Sequence, residues 1–278
     1  MKKYKLTSET LRYKIYTLHR IKALKDFGPV KAGELGGWIE SEENLSQDGN
    51  AWVRDNAKVY EDAKVYGEAV ICGNARVRGN ARVSDNAMVS DNAMVCGNAR
   101  VSDNAMVSDN AMVCDKANVF GNARVHDEAK VRDRAGVFGN AWVYGNTELL
   151  DDATVFSNAE IFGYAVLCDN AIVYGFAKVG DKAEIGDKAT ICDKAEIKGN
   201  AKVHNSADYI VFKNFWSGVR YFTWTRSNNK WSDGCFHGTG EELIKKAYAD
   251  SEKSGREYER VVRYVESILA DEKKKKNN

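Results

Sequence analysis

The chain predicts an all-β solenoid, a parallel β-helix of about nine triangular 18-residue coils closed by a small α+β cap. Three observations carry this. From position 51 to position 207 every sixth residue is alanine, 26 times out of 27, with Thr147 the exception. Two residues after each alanine stands Val, Ile or Leu, until Tyr209 breaks the series. The residue four after each alanine is mostly Asp or Gly and the next mostly Asn or Lys, giving the unit A-x-V-x-[DG]-[NK]. A strand places residues i and i+2 on one face, so Ala-x-Val points two side chains inward and one outward. The pair that follows is turn chemistry, because Gly and Asn tolerate positive φ and Asp bonds its own backbone. A helix is excluded, since alanine at sixfold spacing would wander around a 3.6-residue turn. The coil length comes from the third observation. Residues 84–101 recur almost unchanged at 102–119, and Phe120, Phe138, Phe156 and Tyr174 form an aromatic series at spacing 18. Rings so spaced should stack at roughly 4.8 Å, the distance between neighbouring strands.

The elements follow in chain order. Residues 1–50 read as an N-terminal cap, in which YKIYTLHRIKAL alternates as a strand or hairpin does. Gly36-Gly37-Trp38-Ile39 is expected to form a tight turn and a large apolar plug over the open core. The β-helix occupies 51–208 without an insertion or deletion. Its repeats are too short to bury a face alone, so stacking makes the core. Residues 209–271 read as an α+β C-terminal domain. Ser227-Asn228-Asn229-Lys230 supplies a hairpin turn between aromatic-rich strands. Thr239 with Glu242 makes a capping box that starts a helix through Ala249. A second helix is expected from Arg256 to Ala270, with Tyr258, Val261, Val262, Val265, Ile268 and Leu269 on one face. Residues 272–278 are expected to be a disordered Lys-rich tail.

The unit resembles the hexapeptide-repeat family, and the stretch Val179 to Ile191 (VGDKAEIGDKATI) matches its motif closely. The cap and repeats are similar to uncharacterised YdcK-like bacterial and phage proteins. The C-terminal region resembles a recurring domain of bacterial and phage proteins that has no known function. The resemblance implies left-handed coils and a phage or prophage origin. Because the fold is shared with hexapeptide acyltransferases, it also implies an alternative activity, acyl transfer from acetyl-CoA with a histidine as general base.

The residues favour a different function. Of His19, His126, His204 and His237, only His126 and His204 stand at corners where a base could project. No nucleophile or oxyanion donor accompanies them. The solenoid also lacks the loop insertions that build substrate pockets. No catalytic residue, cofactor or metal is therefore expected, and Asp85/Asp103 and Asp91/Asp109 are read as turn formers stacked on adjacent coils. The six cysteines lack CxxC spacing. Cys96 and Cys114 should be corner neighbours, and a duplicated coil explains them more simply than a disulfide.

The expected function is that of a non-enzymatic scaffold or protein-binding module acting on a host protein or on itself as a homo-oligomer. Counting outward residues in eighteens puts Trp52, Val70, Met88, Met106, Arg124 and Trp142 on one face, and Met94 and Met112 on the next. Methionine is adaptable and clustered exposed apolar residues mark contacts, so Trp52, Met88, Met94, Met106, Met112 and Trp142 are the candidate interface. Arg76, Arg78, Arg82 and Arg100 offer an anionic partner as the alternative. The 41 basic and 40 acidic residues nearly balance, which disfavours nucleic acid. No apolar run is long enough to span a bilayer and MKKYKLTSET carries no secretory signal, so no membrane partner and a cytoplasmic location are expected.

Overall fold

A computed structural model describes residues 2–218 and 220–276. Strands β1 (Tyr4–Tyr13) and β2 (Tyr16–Ala23) form an antiparallel hairpin. Strand β3 (Leu35–Ile39) pairs antiparallel with β2 and parallel with the first coil, Trp38 facing Lys58 and Ile39 facing Val59. The Gly-Gly-Trp-Ile segment is thus a strand, not the expected tight turn. Its glycines serve close approach, because a Cβ on Gly37 would lie 2.8 Å from the Ala57 carbonyl oxygen. Trp38 does not plug the core either. It packs with Leu18 and Tyr60 in a separate cluster beside the hairpin, with the Arg20 guanidinium 5.1 Å from its ring. Tyr4, Ile21, Phe27, Val30 and Ile39 close the core instead.

Twenty-six two-residue strands follow at six-residue intervals, from β4 (Trp52–Val53) to β29 (Lys202–Val203). All but the last three pair in parallel with the strand 18 residues on, as in Met88 with Met106 and Val89 with Val107. Three sheets result, and about nine coils enclose one continuous column of alanine, valine, isoleucine and leucine. Strand pairing fixes the coil's size and is indifferent to its hand; left-handedness stays an expectation carried by the resemblance. The aromatic series stacks, Phe120 on Phe138 at 4.7 Å, Phe138 on Phe156 at 5.4 Å and Phe156 on Tyr174 at 5.0 Å. Another ladder, His126 on Tyr144 on Phe162, runs up a different corner at 5.1 and 5.8 Å.

At each corner the fifth position of the hexapeptide, from Asp55 to Gly199, adopts positive φ. Glycine and aspartate dominate there because both enter the left-handed region at low cost. Aspartate adds a bond, though not to its own backbone as expected. The Asp103 carboxylate accepts the Gly121 N–H of the next coil at 2.9 Å, and Asp127 and Asp169 accept Gly145 and Asp187 in the same way at 2.9 and 3.0 Å. Coils are thus tied at their corners as well as along their walls. Cys96 and Cys114 are joined as a disulfide, which corrects the reading of two copied thiols. Parallel stacking brings their Cα atoms to 4.5 Å, within reach of the bond.

The ends follow one rule. In the interior, an outward residue's N–H donates to the alanine carbonyl of the next coil, as Trp52 does to Ala69 at 2.9 Å. The first coil therefore has alanine carbonyls with no preceding coil, and the cap brings donors. Lys3 Nζ reaches Ala51 O at 2.9 Å, Trp38 N reaches Ala57 O at 2.9 Å and Asn44 Nδ2 reaches Ala63 O at 3.0 Å. Burial lowers the Lys3 ammonium to a pKa of about 8. The last coil has N–H groups with no following coil, and hydroxyls meet them. Ser206 Oγ accepts from Thr190 N at 3.4 Å, Thr223 Oγ1 from Glu196 N at 2.9 Å and Ser227 Oγ from Lys202 N at 2.7 Å.

The C-terminal domain has four antiparallel strands, β30 (Tyr209–Lys213), β31 (Tyr221–Thr225), β32 (Lys230–Asp233) and β33 (Phe236–Gly238). Helices α1 (Gly240–Asp250) and α2 (Glu252–Lys276) follow. Thr239 and Glu242 form the predicted capping box. Phe222, Trp224, Trp231, Leu243, Tyr258, Val262 and Val265 make its core. Helix α2 starts a turn earlier than expected and runs through the lysines to Lys276, so 272–276 are not a disordered tail. Asn277 and Asn278 lie outside the described residues.

Candidate functional site

The period-two alternation of the strands decides which side chains face solvent. On the nine-stranded sheet the outward column reads Trp52, Val70, Met88, Met106, Arg124, Trp142, in register from coil to coil. Met88 and Met106 are each 36% exposed and Trp142 is 41% exposed. The Arg124 guanidinium lies 5.0 Å from the centre of the Trp142 ring, presenting that indole with a cation over its face. Trp52 does not belong to this surface. Tyr4 and Phe27 pack edge-on against its ring at 6.2 and 5.3 Å, and only 1% of it is exposed. The period points Trp52 outward correctly, but the N-terminal cap folds over it. Met94 and Met112 are half-buried on the neighbouring wall, between Arg76 and Lys130, so the four methionines form two short columns either side of a corner.

The arginines do not assemble. Arg82 and Arg100 are adjacent on the third wall, Arg76 sits on the second, and Arg78 lies at a corner beside Tyr16, Tyr60 and Glu61. Arg76 also bonds the Tyr13 phenol and lowers its pKa. An anionic partner would meet two stacked arginines rather than four. At the corners, His204 Nδ1 is 3.3 Å from the Asp187 carboxylate, and His126 Nδ1 is 3.4 Å from that of Asp127.

Sequence reasoning missed a cleft of about 230 Å³ in the C-terminal domain, between the strands and the two helices. Asn214, Ser217, Arg220, Asp233, Lys246 and Tyr258 line it. The Tyr258 hydroxyl donates to Asp233 Oδ2 at 2.7 Å and accepts from Asn214 Nδ2 at 3.1 Å. Burial, reinforced by Asp233, pushes that phenol above its ordinary range. These residues come from the loop between β30 and β31, from β32 and from both helices, and no local spacing announces their meeting. Along the shaft, Asp115, Asp133, Arg134 and Asp151 border a more open hollow. No helix of the described residues is long and apolar enough to cross a membrane.

Comparison with known proteins bears on the repeats. A family model described as "YdcK Beta solenoid repeat" matches residues 81–97, 93–109 and 99–115. An Escherichia coli (strain K12) protein described as "Uncharacterized acetyltransferase YdcK" is 40% identical over 63 residues, 20% of this chain. The match spans 19% of that relative's length. The chain thus carries YdcK-type solenoid repeats within a β-solenoid of 18-residue coils.

Proposed function

We propose that the chain is a non-catalytic β-solenoid binding module that docks a protein surface on the wall bearing Met88, Met106 and Trp142. The observation that carries this is the outward column itself. Val70, Met88 and Met106 follow one another on three adjacent coils, and Trp142 extends the wall past Arg124. Methionine adapts to varied partner shapes and exposed tryptophan is enriched at binding hot spots. A wall without insertions gives this column a rigid backing. The partner is a second copy of the chain or a host protein, the latter in keeping with a phage or prophage origin and a cytoplasmic setting. The test is a double variant, Met88→Lys with Met106→Lys. It should lower the native mass measured by sedimentation, or abolish capture of the partner, while the thermal melt stays unchanged. Unchanged mass together with unchanged capture would overturn the proposal. A steep loss of binding with added salt would instead point to Arg82 and Arg100.

Acyl transfer is the other reading, favoured by the name the Escherichia coli relative carries and by the C-terminal cleft. It predicts that acetyl-CoA binds and that Arg220→Ala weakens it. Isothermal titration showing no heat from acetyl-CoA at millimolar concentration would remove this reading.

A further inference from the structure

We propose that Asp109, His126 and Asp127 form a binding site for a first-row divalent transition metal, of the Zn²⁺ class, bridging two adjacent coils. Each residue offers one ligand atom, and the three atoms lie within 4.8 Å of one another. Among the described residues no other trio of His, Cys, Asp or Glu comes so close. The site is built by the repeat. Asp109 and Asp127 hold the left-handed corner position of successive coils, at φ 58° and 59°. Each carboxylate has Oδ2 fixed by the next coil's amide, Asp109 by Asp127 N at 3.3 Å and Asp127 by Gly145 N at 2.9 Å. Ser108 Oγ adds a bond to Asp109 Oδ2 at 3.1 Å. The Oδ1 atom on each is left for another partner, and on Asp127 it is the atom that faces His126 Nδ1 at 3.4 Å.

The imidazole is seated independently of the carboxylates. It stacks on Tyr144 at 5.1 Å with the planes 5° apart, and it meets Trp142 edge-on at 6.4 Å. A ring held in this way loses little further freedom on coordination, which is what preorganisation contributes to affinity. One imidazole nitrogen with two carboxylate oxygens suits Zn²⁺, Ni²⁺ or Cu²⁺ better than Mg²⁺ or Ca²⁺, which favour all-oxygen sets. His126 Nδ1 and Asp127 Oδ1, 3.4 Å apart, already stand at the separation of two ligands of one tetrahedral ion about 2.1 Å from each. Asp109 on the neighbouring coil brings the third donor within 4.8 Å. Three protein donors leave further positions for water or for a partner's side chain. The wall that carries Trp142 adjoins this corner.

The experiment titrates ZnCl₂ into the full chain after chelator treatment, reading stoichiometry and affinity by calorimetry and the melting temperature alongside. Wild type should take up an ion whose binding His126→Ala abolishes, and His19→Ala should match wild type. Asp109→Asn separates ligation from folding. Asparagine also tolerates positive φ and its side-chain oxygen can still accept the Asp127 N–H, so this variant should melt like wild type without metal yet bind Zn²⁺ at least tenfold more weakly. Zinc should raise the melting temperature of wild type and not of His126→Ala. Wild-type stoichiometry and affinity in both His126→Ala and Asp109→Asn would overturn the assignment, as would the absence of Zn²⁺ uptake by wild type.

Discussion

Thr147 is the one residue in the alanine series that is not alanine, and it is fully buried with no partner for its hydroxyl. An orphaned buried hydroxyl costs about 1–3 kcal/mol relative to an apolar group of the same shape. Thr147→Val keeps that shape and should raise stability by about 1–2 kcal/mol, seen as a higher midpoint in urea with an unchanged slope. A lower midpoint would mean that the hydroxyl has a water or carbonyl partner. The same scale shows where sequence reading stops. Every inward residue was legible, because strict period six leaves an alanine and an aliphatic only one place to go. Trp52 and Asp109 were not. The period sets Trp52 outward, and Tyr4 and Phe27 from another element then cover it. Nothing in the sequence separates Asp109 from any other turn aspartate; stacking alone sets it beside His126.

Secondary elements in this molecule are held by what lies beyond their ends. Two-residue strands have almost no stability alone, and their hydrogen bonds all run to the neighbouring coil. The caps therefore differ in chemistry. The N-terminal cap supplies donors to open carbonyls and the C-terminal domain supplies acceptors to open amides. Thr223→Val leaves the Glu196 N–H without its acceptor, at a cost of about 1–3 kcal/mol. The loss should be local: hydrogen exchange at Glu196 accelerates while exchange at mid-shaft amides such as Arg124 holds. Equal acceleration along the shaft would show that the end coil is not the weak point. The hairpin, the capping box and both helices were legible from alternation, from Thr239 with Glu242 and from the apolar face of α2. Gly36 and Gly37 misled, because glycine marks either a turn or a close approach and the sequence does not say which. Here the coil packs where their side chains would be.

At the scale of the whole molecule, each coil contacts its two neighbours and little else, so the shaft is close to a one-dimensional array. Stability then resides in interfaces between coils, and length is free to vary in whole coils. Residues 84–101 offer the direct test, since 102–119 repeat them almost unchanged. Deleting 84–101 sets Ser102 after Val83 and keeps every column in phase. The deletion also removes Cys96 and with it the Cys96–Cys114 disulfide, so the comparison is made under reducing conditions. There the product should melt cooperatively near the wild-type temperature, with a long dimension in solution scattering shorter by about 4.8 Å. Deleting only 84–89 keeps the inward Ala and Val pattern but turns everything downstream by one wall. Val70 would then stack on Met94 and Met112, a second methionine pair, but Lys130 and Glu148 would follow in place of Arg124 and Trp142, so Trp142 leaves this wall. If the docking surface needs Trp142 on the methionine column, the six-residue deletion should lose the partner while staying folded, whereas the 18-residue deletion retains both fold and partner. Equal binding by the two deletions would show that Trp142 is not part of the docking surface. A molten product from the 18-residue deletion would show that the duplicated coil does more than lengthen the shaft.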